Sequence, residues 1–135
     1  MKNPQNLNRQ LITSGSPYES TFGFSRAVRV GNRILVSGTG PIAADGSTAA
    51  SGDPYGQAKR CLEIIAAAIA KAGGSIGDVV RTRMYITDLS VSDEVGRAHS
   101  ECFGDVKPAA TMVVVKGLVR DDWLVEIEAE CVVDE

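Results

Sequence analysis

The chain has 135 residues, 44% hydrophobic and 23% charged, with a net charge of −3 and a pI near 5.2. That length reads as a single domain, residues 1–135, able to bury a core without staples. The acidic balance argues against a nucleic-acid partner, whose binders carry a basic face. With no apolar run of about 18 residues and no basic-then-apolar leader, neither a membrane partner nor a secretion signal is expected.

Residues 1–20 are polar and turn-rich and read as a loosely held lead-in. From Phe24 the chain reads as a strand, with Val28 and Val30 alternating against Ala27 and Arg29. Gly31-Asn32 signals a tight turn, and Ile34 to Ser37 pairs back across it. Gly40 to Gly52 is loop-like, with a turn at Asp45-Gly46 and a short edge strand at Ser47 to Ala50. A helix follows: Asp53 caps it, Pro54 suits its first position and Gly73-Gly74 stops it. Ala58, Cys61, Leu62, Ile65, Ala68, Ile69 and Ala72 recur at helical spacing and make one apolar face. Val79 to Thr87 is a strand, with Val80, Thr82, Met84 and Ile86 on one face and Arg81, Arg83 and Tyr85 on the other. A second helix starts near Ser90 or Ser92, carries the stripe Val91, Val95, Ala98 and Cys102, and closes at Phe103-Gly104. Two strands end the chain, Thr111 to Lys116 and Leu124 to Val133.

That order predicts an α+β fold: a mixed β-sheet with two helices packed on one face. Met112 to Val115 is apolar on both sides, which reads as a strand buried on both faces. A monomer leaves the second sheet face wet, so self-association is expected.

Few residues carry chemistry. Glu126, Glu128 and Glu130 alternate with Val125, Ile127 and Ala129 and so share one strand face, solvated or functional. Gly38 either ends a strand or lets backbone approach a ligand. Pro108 is expected to hold Lys107 extended. His99, the only histidine, has no partner spacing and reads as a packing or surface residue, and Trp123 as a packing or interface anchor. Cys61, Cys102 and Cys131 have no C-x-x-C spacing and read as reduced thiols of a cytoplasmic protein. No phosphate-loop spacing occurs, and no metal site or cofactor is expected.

Two motifs together resemble those of the YjgF/Rid family of reactive imine and enamine deaminases, also described as endoribonuclease L-PSP-like. They are Val36-Ser37-Gly38-Thr39-Gly40-Pro41 and Pro108-Ala109 followed by Val125-Glu126-Ile127-Glu128-Ala129. The resemblance implies a chorismate-mutase-like fold. It also implies a homotrimer around a central β-barrel, with small-molecule clefts between subunits lined by Ser37 and Gly38. It gives Glu126 the role of positioning the hydrolytic water, a task suited to a carboxylate. Three positions depart from the family pattern. Ala110 stands where deaminating members hold the substrate carboxylate with arginine, and Met112 where they often carry cysteine. Phe24 stands where they carry a cleft tyrosine, to which Tyr18 aligns only through a six-residue insertion. Losing such a charge partner costs about 2–5 kcal/mol. Arg26, Arg83, Lys107 and Lys116 are the candidate replacements.

The expectation is a Rid-like hydrolase with catalytic Glu126 and substrate-binding Phe24, Ser37, Gly38, Ala110 and Met112. Its ligand is a neutral imine, enamine or related electrophile and not the standard 2-aminoacrylate-type acid. The alternative is a non-catalytic metabolite-binding trimer of the same fold.

Overall fold

The computed structural model describes residues 9–134. Gly31, at φ 60°, supplies the left-handed conformation that a two-residue hairpin turn needs. It joins β2 (Ala27–Val30) to β3 (Arg33–Thr39), which pair antiparallel from Val30↔Arg33 to Ala27↔Val36. The long helix α2 (Pro54–Lys71) begins where expected, with the Asp53 carboxylate accepting from Gly56 N–H at 3.1 Å. It ends at Gly73, φ 87°, and Gly74 N–H closes onto the Ile69 carbonyl.

The helix lays Ala58, Cys61, Leu62, Ile65, Ala68 and Ile69 onto Ile34, Val36, Met84, Ile86, Val125, Ile127 and Ala129 of the sheet. Helix α3 (Ser92–Phe103) adds Val95, Ala98 and Phe103 to the same core. Six strands make one sheet in the order β1-β2-β3-β6-β4-β5, completed by β1 (Gln10–Ile12), β4 (Val79–Ile86), β5 (Ala109–Val114) and β6 (Val125–Val132). Only β4 and β5 run parallel, joined by the crossover through α3. This is the expected mixed α+β layer. Cys61 and Cys131 are buried and Cys102 partly so, and all three are free thiols.

Five details differ from the sequence reading. The described part of the lead-in is structured: β1 pairs with β2, and Pro17–Phe22 forms α1. Residues 1–8 of that lead-in lie outside the described residues. Val80 is 47% exposed, because a register shift between Val79 and Arg81 turns Val79 inward in its place. Lys107 is not extended: at φ 54° it occupies the left-handed region while its N–H donates to the Phe103 carbonyl, turning the chain off α3. Finally, β5 is an edge strand, and Val113 and Val114 are exposed on it, not buried on both faces. The segment at residues 47–50 forms only an isolated bridge, Ile42↔Thr48.

One buried polar side chain ties the helix layer to the start of β6. Gln57 is fully enclosed, donates to the Asp122 carbonyl at 2.8 Å and accepts from Leu124 N–H at 2.8 Å. It thereby fixes the backbone on both sides of Trp123. Replacing it with leucine keeps the volume but strands two backbone groups. Gln57→Leu is expected to lower unfolding free energy by about 2 kcal/mol or more, measured by denaturant titration.

Candidate functional site

The site forms where β3 loses register with β6. Val36 pairs with Ala129 but Thr39 pairs with Ile127, so three steps along β3 answer two along β6. The extra residue is a bulge at Ser37-Gly38, a device that re-aims backbone near sites. Ser37 is held there by its N–H to the Arg26 carbonyl and its hydroxyl to the Ser25 carbonyl at 2.7 Å. Glu126 lays its carboxyl group against Gly38, and a β-carbon at that position would overlap Glu126 Oε2. A side chain at 38 would push the Glu126 carboxylate out of this position.

Arg26 stabilises the bulge from beneath. Its Nη1 donates to the Gly38 carbonyl at 2.6 Å and to Thr39 Oγ1 at 3.0 Å, and its Nε reaches Glu19 Oε2 at 3.3 Å. Both members of that ion pair are buried. Burial alone would raise the Glu19 pKa. Hydrogen bonds from Ser14 and Thr13, with the Arg26 charge, outweigh it and hold the carboxyl below its ordinary value.

The three glutamates of β6 have different fates. Arg83 Nη1 pairs with Glu128 at 3.2 Å and with Glu130 at 3.0 Å. Tyr85 O–H donates to Glu128, and Arg33 reaches Glu130 at 3.5 Å. Glu126 alone has no hydrogen bond or ion pair among the described residues, and it lines a cavity of about 430 Å³. Burial raises its pKa above the ordinary 4.5. Arg26 opposes that shift and Glu128 adds to it.

Phe24, Ser37, Gly38 and Glu126 all line this cavity, and Ala110 and Met112 do not. The latter two lie on β5, opposite Thr82 and Met84 and on the helix-covered face. Of the four candidate cations only Arg26 reaches the cavity, while Arg83 is committed to Glu128 and Glu130. His99 bonds Thr82 Oγ1 through Nε2 at 2.8 Å and packs on Phe103, which is a structural role.

Three further aromatics line the cavity that the sequence reading did not assign to it: Tyr18, Phe22 and Trp123. Tyr18 enters from α1, stacks on Phe22 at 5.8 Å and meets Trp123 edge-on at 6.0 Å. Its hydroxyl accepts from Arg120 Nε at 2.9 Å. Trp123 packs so closely over Gly40 that a β-carbon there would overlap the ring. A signal for Tyr18 exists in Ser16-Pro17-Tyr18-Glu19, where a capping serine, an N1 proline and a glutamate three residues on mark a helix start. Among the described residues no cluster of three or more His, Cys, Asp or Glu could hold a metal, and no helix is long and apolar enough to cross a membrane.

Sheet, bulge and cavity define a small α+β protein with one glutamate set in an aromatic pocket. Residues 13–133 match the Endoribonuclease L-PSP family. The chain is 42% identical to an uncharacterised Streptomyces coelicolor protein, SCO2049, over 88% of each chain. It is 32% identical to the 3-aminoacrylate deaminase RutC of Acinetobacter baylyi, over 75% of this chain and 79% of that protein. The crystal structure of Rv2704 from Mycobacterium tuberculosis, a member of the YjgF/YER057c/UK114 family, superposes with a TM-score of 0.83. It is 42% identical, and the match covers 93% of this chain and 99% of that one. The chain therefore belongs to the Endoribonuclease L-PSP family, the YjgF/Rid proteins.

The Glu126 environment gives a signed stability prediction. A carboxyl with a raised folded-state pKa favours folding below its unfolded value, and that contribution is lost as pH rises through the folded pKa. Glu126→Gln is therefore expected to match wild type in melting temperature near pH 4 and to exceed it at pH 8. A pH series of thermal melts checks this.

Proposed function

We propose that the protein hydrolyses C=N bonds of small reactive imines or enamines, with Glu126 as the proton-transfer group. The observation that carries this reading is the unengaged Glu126 carboxyl in the cavity, while its two strand neighbours are bound by Arg83. Water adds to the imine carbon as Glu126 accepts its proton, and Glu126 returns that proton to nitrogen to give the neutral carbinolamine. Glu126 then takes the carbinolamine hydroxyl proton and delivers it to nitrogen as the C–N bond breaks, so that ammonia leaves a carbonyl product. The similarity to a 3-aminoacrylate deaminase supports this reaction type.

The substrate differs from the amino-acid-derived anion of carboxylate-binding members. Ala110 offers no charge, and Arg26 is not free to clamp an acid, being already paired with Glu19 and bonded to Gly38 and Thr39. The low pI and aromatic cavity favour a small molecule over RNA.

The cleft is completed by self-association as a trimer. The uncovered sheet face carries exposed Leu11, Val30, Leu35 and Val113, an apolar surface that copies of the chain would cover. In that assembly the β5 edge of a neighbour brings Ala110 and Met112 to the cavity mouth.

Two measurements test these proposals. Ammonia release from freshly generated 2-aminoacrylate should be negligible for wild type and gained by Ala110→Arg. On neutral imines wild type should be active, and Glu126→Gln should lose on the order of 10²-fold or more. Wild-type turnover of the acid would show that another cation replaces the arginine. By light scattering, wild type should have the mass of three 14.2 kDa chains, and Leu35→Glu, which sets a second carboxylate opposite Glu130, should run as monomer.

A further inference from the structure

The cavity described above has charge and shape features that its role in C=N hydrolysis does not by itself require. Both lining cations are spent. Arg26 is paired with Glu19, and Arg60 donates through Nε to the Ile42 carbonyl at 2.7 Å and through Nη1 to Glu63 at 3.3 Å. Arg120, the other cation near this wall, is not among the lining residues and is held by Tyr18 and Thr48. Glu126 is thus the one lining group whose charge has no pairing partner among the described residues. A ligand carboxylate would meet it as a like charge, whereas a cation would meet a counter-ion.

The walls favour the same ligand. Tyr18, Phe22, Phe24 and Trp123 all line the cavity. Three of these rings already lie near guanidinium groups, Arg26 at 5.4 Å from the Phe24 centroid and Arg120 at 5.5 Å from those of Tyr18 and Trp123. Aromatic faces attract cations through the ring quadrupole and supply flat apolar surface. At about 30 Å³ per heavy atom, water's share of its liquid, the space holds on the order of a dozen heavy atoms. An imino acid of six heavy atoms would leave much of it unfilled.

We propose that the cavity selects arylalkyl aldimines in their iminium form, R–CH=NH2+, with an aromatic ring in R and no carboxylate. The inference rests on the C=N-hydrolase reading and names its substrate class. The iminium nitrogen lies beside Glu126 and the ring among Tyr18, Phe24 and Trp123. Hydrolysis is R–CH=NH2+ + H2O → R–CHO + NH4+, with no change in oxidation state. Such an iminium arises by two-electron oxidation of a primary arylalkylamine, so an amine-oxidising reaction must supply it. The products, an aldehyde and ammonium, pass to aldehyde-consuming chemistry.

Trp123 is the only tryptophan, so selectively excited emission reports occupancy. The probes are 2-phenylethylammonium, butylammonium, 3-phenylpropionate and the neutral 2-phenylethanol, titrated against full-length protein in its native assembly. The expected result is saturable binding of 2-phenylethylammonium at least ten-fold tighter than butylammonium or 3-phenylpropionate. Glu126→Gln should weaken the ammonium about ten-fold and leave 2-phenylethanol unchanged, which shows the variant cavity intact. The proposal is overturned if 3-phenylpropionate binds as tightly as the ammonium, if butylammonium does, or if Glu126→Gln leaves ammonium binding unaltered. Ammonia release from the aldimine generated in situ separates the two claims. Tight ammonium binding without accelerated release upholds the ligand class and overturns the hydrolase reading. Accelerated release from aliphatic imines, without aryl preference in binding, does the reverse.

Discussion

A single guanidinium holds this site together. Arg26 immediately precedes β2, at the entry to the hairpin, and reaches α1 through Glu19 and the β3 bulge through Gly38 and Thr39. A buried cation persists only when paired and hydrogen-bonded, because desolvation otherwise exceeds any Coulombic gain. Glu19 is therefore as necessary as Arg26, and α1 exists in part to deliver it. The bulge that receives the other bonds sets the Gly38 backbone against Glu126, so the chain of dependence runs from a buried ion pair to the Glu126 carboxyl.

The same arrangement separates three chemically identical residues. Strand alternation puts Glu126, Glu128 and Glu130 on one face, but register decides their partners. Arg83 on β4 lies opposite Glu128 and within reach of Glu130, and Tyr85 takes the remaining oxygen of Glu128. Glu126 lies opposite Tyr85 yet is left for the cavity, beside a guanidinium already committed elsewhere. Its burial without a pairing partner disfavours the charged form, which is the condition under which a carboxyl both takes and returns a proton.

Long periodic elements were legible in the sequence because their signals are local. The α2 caps, its apolar face and the Gly31-Asn32 turn all appear in the structure where spacing placed them. Val80 was not, since a bulge inverts the face of one residue without altering local composition. Lys107 took a left-handed conformation that its proline neighbour does not announce. Within the site, Ser37, Gly38 and Glu126 converge because β3 and β6 are neighbouring strands, and Phe24 joins them from the segment that leads into β2. Tyr18 was weighed for the cleft only through a six-residue insertion, because a six-residue helix buries too little to stand out from a polar lead-in, although its capping signature was present. The Arg26–Glu19 pair depended on a contact between elements that no single-strand pattern encodes. Ala110 and Met112 sit on β5, at the opposite sheet edge from β1 and β2, and do not line the cavity.

The account turns on Glu126 being buried in the cavity without a pairing partner. A carbon-13 NMR titration of the glutamate side-chain carboxyls, with the Glu126 resonance assigned by its loss in Glu126→Gln, measures this directly. Burial of the carboxyl predicts that Glu126 titrates above the ordinary 4.5 in the ligand-free protein. Titration at or below that value would mean that the carboxylate is held by a cation or donor network, and the proton-transfer role assigned to it would be wrong.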